Sequence, residues 1–576
     1  MSFIKKKEMD ILKLLNGLSY NIESVKLVPS GRPEFGMYQF NDCMMLAKKY
    51  GKNPRDIANE IVEVLKQDSE LVNINIQGPG FINLSFSNES LIKYMNDMLK
   101  DVKCGINNYD SKKIVLDYGG ANVAKVLHVG HLRSANIGEA LNRLLKLVGM
   151  ETISDVHLGD YGRQMGMIIL EIRNRFPDLP CFRDDYNGEN YEVPITNKDL
   201  ETIYPIANEK AKNDPIIMEE ARDITNLLQK GHLGYVSLWH HIVDISVKDI
   251  KKLYDMIGAK FDYWYGESDA SSFIPELTDY LKSRDVLEYS EGATVINVSN
   301  DDDKKEIPPL LYIKSNGSIS YEATDLATIY QRMKEFNPDE IWYVVDNRQE
   351  LHFTQIFRAS KKSSIVNDNT NLEFLGFGTM NGKDGKPFKT RDGGVMSLSE
   401  LINIVKEKCL SLVSEDIEDK ESVGLKAALG ALKYADLLPS RSKDYIFDVD
   451  KFCDVQGKTG PYIMYSSVRI NSLINKCEVS DYKIYGIYNE YDMNVIINLL
   501  DLARVIDNCI MSKSLNDLCE YLYRLNNSYN SFYNEIKILS EEDNNKRVSW
   551  ISLSKLVLDV NKMLLDVLAI EIPERM

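Results

Sequence analysis

From Lys113 to Gly149 the chain reads KIVLDYGG…LHVGHLRSANIGEALNRLLKLVG, and this stretch restricts the fold more than any other. KIVLDYGG is a short β-branched apolar run that stops on two glycines. From Leu132 the residues Ile137, Ala140, Leu141, Leu144, Leu145 and Val148 return at helical spacing until Gly149 ends them. A strand, a glycine-rich turn and a helix in that order place unpaired N–H groups and a helix dipole where phosphates bind. His128 and His131 flank Gly130 at that helix start, and the whole chain has only seven histidines. Random placement would give H-x-G-H roughly once in two hundred chains of this composition.

Three explanations compete for the pair. Two histidines at i, i+3 can bind a metal, but a catalytic zinc needs a third protein ligand, and no H-E-x-x-H or C-x-x-C lies nearby. They can be surface or capping residues. They can also serve a nucleotide, with Lys125 and the imidazole N–H groups facing phosphate charge and Gly130 letting the ligand approach the backbone.

Composition limits the alternatives. The 576 residues allow three or four domains at the usual size. A hydrophobic content of 44% and a charged content of 27% fit a globular chain, and no apolar run reaches the roughly 18 residues of a membrane span. The start, MSFIKKKEMDILKLLNGLSY, reads as an amphipathic helix and not as a leader. Eight scattered cysteines point to reduced thiols in the cytoplasm and argue against disulfides and zinc. A net charge of −17 speaks against indiscriminate binding of DNA or RNA.

Along the chain, LVNINIQGPGFINLSF (71–86) alternates as a strand pair broken at Gly78–Gly80, and CGINNYDSKK (104–113) is a polar break. TVINV, LLYI, EIWYVV and LEFLGFGTM read as further strands alternating with helices, interrupted by a charged helical insertion at about 178–290. After about residue 420 the pattern is helical: VIINLLDLARVIDNCI and WISLSKLVLDVNKMLLDVLAI are long amphipathic runs, and SEEDNNKR reads as a loop. The expected fold is α/β: a Rossmann-like doubly wound parallel sheet over 111–435, a small α+β domain over 1–110 and an all-α helix bundle over 436–576.

Two more clusters carry chemistry. NGKDGKPFKTRDGG (381–394) holds Lys383, Lys386, Lys389 and Arg391 in a glycine-rich loop, either solvated surface or a triphosphate clamp. In SYEATDLA, Tyr321 and Asp325 are i, i+4, and a carboxylate beside a phenol can seat a guanidinium.

The segments DYGGANVAKVLHVGHLRSANIGEALNRLL, LGDYGRQMG, SYEATDLA, YVVDNRQELHFTQIF, GFGTMNGKDGKPFKTRDGG, KTGPYIMYSSVRI and EIPERM, in that order, resemble the motifs of the arginyl-tRNA synthetases, which are class I aminoacyl-tRNA synthetases, with HVGH standing for HIGH. The resemblance implies arginine-tRNA ligase activity with tRNA(Arg), L-arginine and ATP as partners, Mg²⁺ accompanying ATP, no zinc, no DNA or membrane partner, and a monomer. It implies that His128, Gly130, His131, Lys386, Lys389 and Arg391 bind ATP, with His128, His131, Lys125 and Lys389 catalytic. It implies arginine contacts from Asp117, Gly120, Ala121, Asn122, His131, Tyr321, Asp325 and Gln349, and tRNA contacts from Phe81, Asn83, Tyr462, Tyr465, Arg469 and Met576. GGAN departs from the family's Ser-Pro-Asn type turn, and KPFKTR is not KMSKS, which leaves Lys125 and Lys389 to share that role. A small-metabolite adenylyltransferase would have no use for the C-terminal bundle, and a silent relative would not keep this set of residues.

Overall fold

In the computed structural model, which describes residues 2–386, 396–477 and 479–576, the N-terminal helix runs Phe3–Leu15 with Ser2 at its cap. It and helix Pro54–Leu65 cover a sheet of four antiparallel strands, β1 Leu27–Pro29, β2 Tyr38–Phe40, β3 Leu71–Gln77 and β4 Phe81–Phe86, in the order β1-β2-β4-β3. Gly78 (φ +55°) and Gly80 (φ +150°) turn β3 into β4, and a Cβ on Gly80 would stand 2.9 Å from the carbonyl of Pro54. Helix Asn88–Lys100 leads out of this domain.

The parallel sheet has four strands. β5 Lys113–Asp117 and β6 Glu151–Asp155 flank the helix Val129–Leu147, called the histidine helix below. The chain later re-enters the sheet on the other side of β5, and the spatial order is β11-β10-β5-β6, with β10 at Glu340–Tyr343 and β11 at Asn371–Phe374. The order reverses between β5 and β10, so their carboxyl ends, Asp117 and Tyr343, border the crevice where ligands of open α/β sheets bind.

Two strands expected in this sheet lie elsewhere. TVINV and LLYI belong to a separate antiparallel sheet of β7 Glu288–Ser290, β8 Ala293–Ile296 and β9 Leu310–Ile313. The physical difference is legible in burial: β10 is buried at every position, as a parallel strand covered on both faces must be, whereas β9 alternates between buried and half-buried.

Between β6 and β7 the chain forms helices Arg163–Arg175, Asn197–Asn213, Pro215–Gln229 and Leu233–Met256, which pack on one another. The C-terminal part is helical, with Lys420–Leu437, Gly460–Asn475, Glu490–Leu500, Leu502–Ser512, Asn516–Glu535 and Asn544–Val567 as its main helices. VIINLLDLARVIDNCI is two helices broken at Asp501, and the NNKR expected in a loop is the first turn of the last helix. Asn526 and Asn561 exchange amide hydrogen bonds of 2.9 and 2.8 Å inside the bundle, and Asn561 also donates to Ser467 Oγ at 3.1 Å. The N-terminal domain docks on the bundle through Asn96, which both donates to and accepts from the backbone of Ile484, and through the Lys5–Asp507 ion pair at 2.7 Å. The eight cysteines are unpaired, and among the described residues no helix is long and apolar enough to cross a membrane.

The histidine helix lies against β5 with no slack. A Cβ on Gly138 would fall 2.1 Å from Cγ and 2.4 Å from Cβ of Tyr118, atoms that cannot swing aside. Gly138→Ala is therefore expected to cost at least about 1 to 3 kcal/mol as an overpacking change, read as a lowered urea midpoint. An unchanged midpoint would mean that helix and strand are not packed as described.

Candidate active site

At the switch point one side chain joins three elements. Ser134, on the histidine helix, donates from Oγ to the carbonyl of Val344 after β10 at 2.6 Å and accepts the N–H of Gly119 after β5 at 2.8 Å. The chain then turns through Gly119 (φ +90°) and Gly120 (φ +35°), a left-handed path that favours glycine. Ala121 and Asn122 follow, zipped to the LGD loop: Gly159 N–H donates to Ala121 O at 2.9 Å, and Val123 N–H donates to Gly159 O at 3.0 Å. A Cβ on Gly159 would lie 2.5 Å from Asn122 Oδ1, so the glycine of one motif makes room for the asparagine of the other. Gly120 is exposed, Asn122 half-buried and Ala121 buried.

The two histidines cap each other's backbone. His128 is the N-cap of its helix, and its Nδ1 accepts the Gly130 N–H at 3.0 Å. His131 Nδ1 accepts the His128 N–H, also at 3.0 Å, and the ring centroids are 4.0 Å apart. Burial lowers the pKa of both, His131 to about 3, and the charge of Lys125 works in the same direction on each. Both rings are therefore neutral at physiological pH. Because each Nδ1 is an acceptor, each proton resides on Nε2, and the pair presents two N–H donors. Lys125 is near enough for its charge to act on both rings, with its ammonium 4.8 Å from the ring centre of Tyr204 in the helical insertion.

The basic loop springs from beside these rings. The helix start that follows the loop is hydrogen-bonded to the histidine turn, Leu398 N–H donating to Leu127 O at 2.8 Å, and Ser397 bridges to His128. Its outgoing arm, Met380–Asn381, pairs with Tyr445–Ile446. Lys383 is engaged by Asp448 at 3.0 Å and Asp450 at 3.1 Å, and Lys386 is exposed. Lys389 and Arg391 lie outside the described residues.

A second group of side chains, the acidic hollow below, gathers Asp325, Glu267 and Asp117 around Tyr321. Tyr321 opens the helix Tyr321–Phe336 and shares its face with Asp325, as the i, i+4 spacing predicts. The Tyr321 hydroxyl is strongly shifted upward by Asp325, with burial and the charges of Glu267 and Asp117 adding to the effect. Glu267 is pushed up to about 7, mainly by burial and then by Asp325 and Asp160. Asp325 accepts a 2.6 Å hydrogen bond from His352 Nε2, whose ring stacks on Tyr321. Gln349 is exposed in a single 3₁₀ turn, Asn347–Gln349.

Asp117, expected to contact arginine, already has a guanidinium partner within the protein. Arg332, buried on the Tyr321 helix, bonds Asp117 Oδ2 and Asp155 Oδ2 at 2.7 Å each, so the ends of β5 and β6 are neutralised from within. The charge of Asp117 is also near enough to act on Tyr321. Glu267 and His352 escaped the sequence reading. Glu267 sits in an insertion read only as charged and helical, and its sole signal is its position after the strand-like FDYWYG, where Leu158 pairs with Gly266.

Comparison with known proteins decides the family. Residues 93–449 match the catalytic domain of class I (R) tRNA synthetases, 5–86 the arginyl-tRNA synthetase N-terminal domain and 463–576 the DALR anticodon-binding domain. The chain belongs to the class I arginyl-tRNA synthetases. It is 44% identical to the arginine-tRNA ligase of Alkaliphilus oremlandii over 95% of each chain, and 42% identical to that of Agathobacter rectalis over 98% of each. Among solved structures it is similar to the arginyl-tRNA synthetase of Plasmodium falciparum, with a TM-score of 0.81 and 25% identity over 100% of this chain and 99% of that one. The Thermus thermophilus arginyl-tRNA synthetase shares the fold at the same TM-score and 20% identity, covering 100% of both. As an arginyl-tRNA synthetase, the chain is an ATP-dependent ligase that activates arginine and transfers it to tRNA.

The anticodon-binding domain of this synthetase carries an aromatic ridge. The Arg469 guanidinium lies between the rings of Tyr465 and Tyr533, 5.2 and 5.3 Å from their centres. Asn530 donates from Nδ2 to Tyr462 Oη at 2.8 Å and accepts from Arg469 at 3.4 Å, which fixes the spacing of the three expected residues. Tyr465 is 39% exposed. Met576 packs, half-buried, against the cores of both the bundle and the insertion. On the N-terminal domain, Phe81 is half-buried at the start of β4, but Asn83 is only 1% exposed and accepts from Gln39 Nε2 at 3.0 Å. Asn83 as it stands is part of the sheet interior, and a direct tRNA contact would require it to turn outward.

Proposed function

We propose that the residues of this ligase divide its chemistry by charge. MgATP enters with its phosphates toward the two Nε2–H donors of His128 and His131 and the N–H groups at the start of the histidine helix, with Gly130 allowing close approach. The observation that carries this reading is the pair of neutral, mutually capped imidazoles at the sheet's switch point. Among the described residues no cluster of carboxylates, histidines or cysteines could hold a metal ion, and the proposal has the cation arrive on the triphosphate. Lys125 and the basic loop, including Lys386, Lys389 and Arg391, complete the phosphate surroundings. The guanidinium of arginine takes the acidic hollow of Asp325 and Glu267 beside Tyr321, while the backbone turn of Gly120, Ala121 and Asn122 and the amide of Gln349 line its path. The arginine carboxylate then attacks the α-phosphorus in line, a P–O bond forms, and pyrophosphate leaves. In the second step the 2′-hydroxyl of the terminal adenosine attacks the adenylate carbonyl and AMP leaves. No covalent enzyme intermediate is required.

For the tRNA, the proposal assigns Tyr462, Tyr465 and Arg469 to anticodon bases and Phe81 to the elbow, with Met576 supporting the anticodon face. The domain limits at about 110 and 435, the monomeric state and a cytoplasmic location belong to the same proposal.

Three experiments test it. Removing one preorganised donor from a developing charge costs about 3 to 4 kcal/mol, so His128→Ala and His131→Ala should each slow pyrophosphate exchange by two to three decades with tRNA affinity little changed. Near-normal exchange in both would reduce the pair to helix caps. Since His131 titrates near 3, its protonation should contribute no loss of activity between pH 6 and 8. Asp325→Asn should raise the arginine KM by a factor matching about 2 to 3 kcal/mol and collapse discrimination against citrulline, its neutral isostere. Retained preference for arginine would remove Asp325 from the guanidinium site. Tyr465→Ala should weaken tRNA use by about 1 to 3 kcal/mol and leave the KM values for ATP and arginine unchanged, and an unaltered tRNA KM would displace the anticodon contact from this ridge.

A further inference from the structure

His352 has no part in the reaction as derived above, yet it touches both residues assigned to the guanidinium. It lies on helix Glu350–Lys362, with Nε2 2.6 Å from Asp325 Oδ2 and its ring 5.2 Å from that of Tyr321 at an interplanar angle of 30°. The two partners are largely closed off, with side-chain exposures of 19% for His352 and 13% for Asp325. Resting on the assignment of Asp325 to the substrate, we propose that His352 is a positioning residue that occupies the cation place of Asp325 while the site is empty and yields it, releasing a proton, when arginine arrives.

The argument is one of charge in a confined space. Asp325 and Glu267 repel each other across the hollow, and an imidazolium on Asp325 relieves that repulsion and holds the carboxylate in one rotamer. Tyr321, stacked on the same imidazole, is held with it, so both walls of the guanidinium seat are set before substrate binds. A guanidinium on Asp325 then puts a second cation against the first. The imidazole answers by losing a proton and keeping Nε2–H as a neutral donor to Oδ2, which preserves the geometry and leaves the carboxylate's full charge to the substrate.

The groups facing His352 support this balance. Asp325 and Glu322 come from the Tyr321 helix, the Tyr321 ring lies on one face, and the edge-on ring of Phe353 on its own helix is 5.3 Å away. Burial pulls the pKa of His352 down, but the hydrogen bond and charge of Asp325, with Glu322, turn the net shift upward. Glu267, pushed to about 7 by burial, is the second group that a bound guanidinium would force to lose its proton.

The test follows the arginine KM in aminoacylation from pH 6 to 8 at saturating ATP and tRNA, using the full chain. The KM should rise as pH falls, and each displaced proton contributes at most about tenfold per pH unit. With His352 and Glu267 both contributing, the limiting slope approaches two protons in the parent. It should approach one in His352→Gln, whose amide keeps a donor but cannot titrate. His352→Gln,Glu267→Gln should be flat. Calorimetry of arginine binding in two buffers of different ionisation heat supplies the second readout: proton release in the parent should be larger at pH 6 than at pH 8, and at pH 6 it should be smaller in His352→Gln than in the parent. Equal slopes and equal proton release in parent and His352→Gln would overturn the inference even if Asp325→Asn loses its discrimination. If Asp325→Asn keeps its discrimination, the guanidinium assignment itself has failed. Should His352→Gln misfold, as circular dichroism would reveal, pH-independent proton release by the parent still refutes the proposal.

Discussion

The buried ion pair of Arg133 with Asp436, 2.7 Å long and closed to water, holds the two halves of the enzyme in one frame. Arg133 lies one turn into the histidine helix, and Asp436 ends the helix from which the bundle departs. The same guanidinium donates to the carbonyl of Gly378 at 2.5 Å and lies over Tyr445, so it also reaches the chain just before the outgoing arm of the basic loop and the strand that pairs with that arm. Asn136, one residue group further along, donates to Asp436 as well, at 2.9 Å. Losing one partner of such a pair leaves an uncompensated charge in the interior, a cost of about 3 to 5 kcal/mol. The position of His128 and His131 relative to the loop beside them depends on this contact.

What could be read from the sequence follows from how local each signal is. The strand before Gly119, the helix after Gly130 and the shared face of Tyr321 and Asp325 are set by residues within a few positions of one another, and all three appear as expected. The capping reading and the nucleotide reading of the histidines turn out to be compatible: the rings cap the helix with Nδ1, and this is what aims Nε2 outward. Signals that depend on distant chain were not legible. TVINV and LLYI are apolar enough for a parallel sheet, but only their pairing reveals an antiparallel one. Arg332 looks like any helical arginine until β5 and β6 bring two aspartates to it, and Asn83 looks accessible until Gln39 lies across the sheet from it. Glu267 and His352 reach the hollow from elements that carry no motif of their own.

Electrostatics explains how a chain with a net charge of −17 manages two polyanions and a cationic substrate. Burial, with the charges of Asp325 and Asp160 adding to it, pushes Glu267 up to about 7, and a cation beside it favours its charged form. At the start of the histidine helix, where the proposal puts the phosphates, the protein offers neutral donors backed by a nearby lysine, which avoids placing two imidazolium charges 4.0 Å apart. On the bundle, charge is paired with aromatic surface: Arg469 is held between two tyrosines and Lys458 is tied to Glu520 at 2.7 Å. Such a ridge favours stacking over general attraction for phosphate, in keeping with a surface that must recognise unpaired bases on an acidic protein.

The helix that carries Tyr462, Tyr465 and Arg469 and the glycine turn after β5 are also linked, through the last helix of the bundle and a chain of polar contacts. Tyr118, directly before Gly119, donates to Glu139 at 2.8 Å, and Glu139 accepts from Arg143 at 2.6 Å. Arg143 reaches Asp566 at the end of the last bundle helix, bonding its carbonyl at 3.0 Å and its carboxylate at 2.9 Å. That helix packs along Gly460–Asn475, which carries Tyr462, Tyr465 and Arg469. Every member between Tyr118 and Asp566 is a charged or phenolic group with a specific partner, so a shift of the last helix cannot be absorbed by apolar sliding alone. Such a shift loads the Arg143–Asp566 bond first and reaches the Tyr118 hydroxyl through Glu139, both Glu139 and Arg143 being carried by the histidine helix. Two hydrogen-bonded side chains thus separate the residue before the glycine turn from the last helix of the bundle.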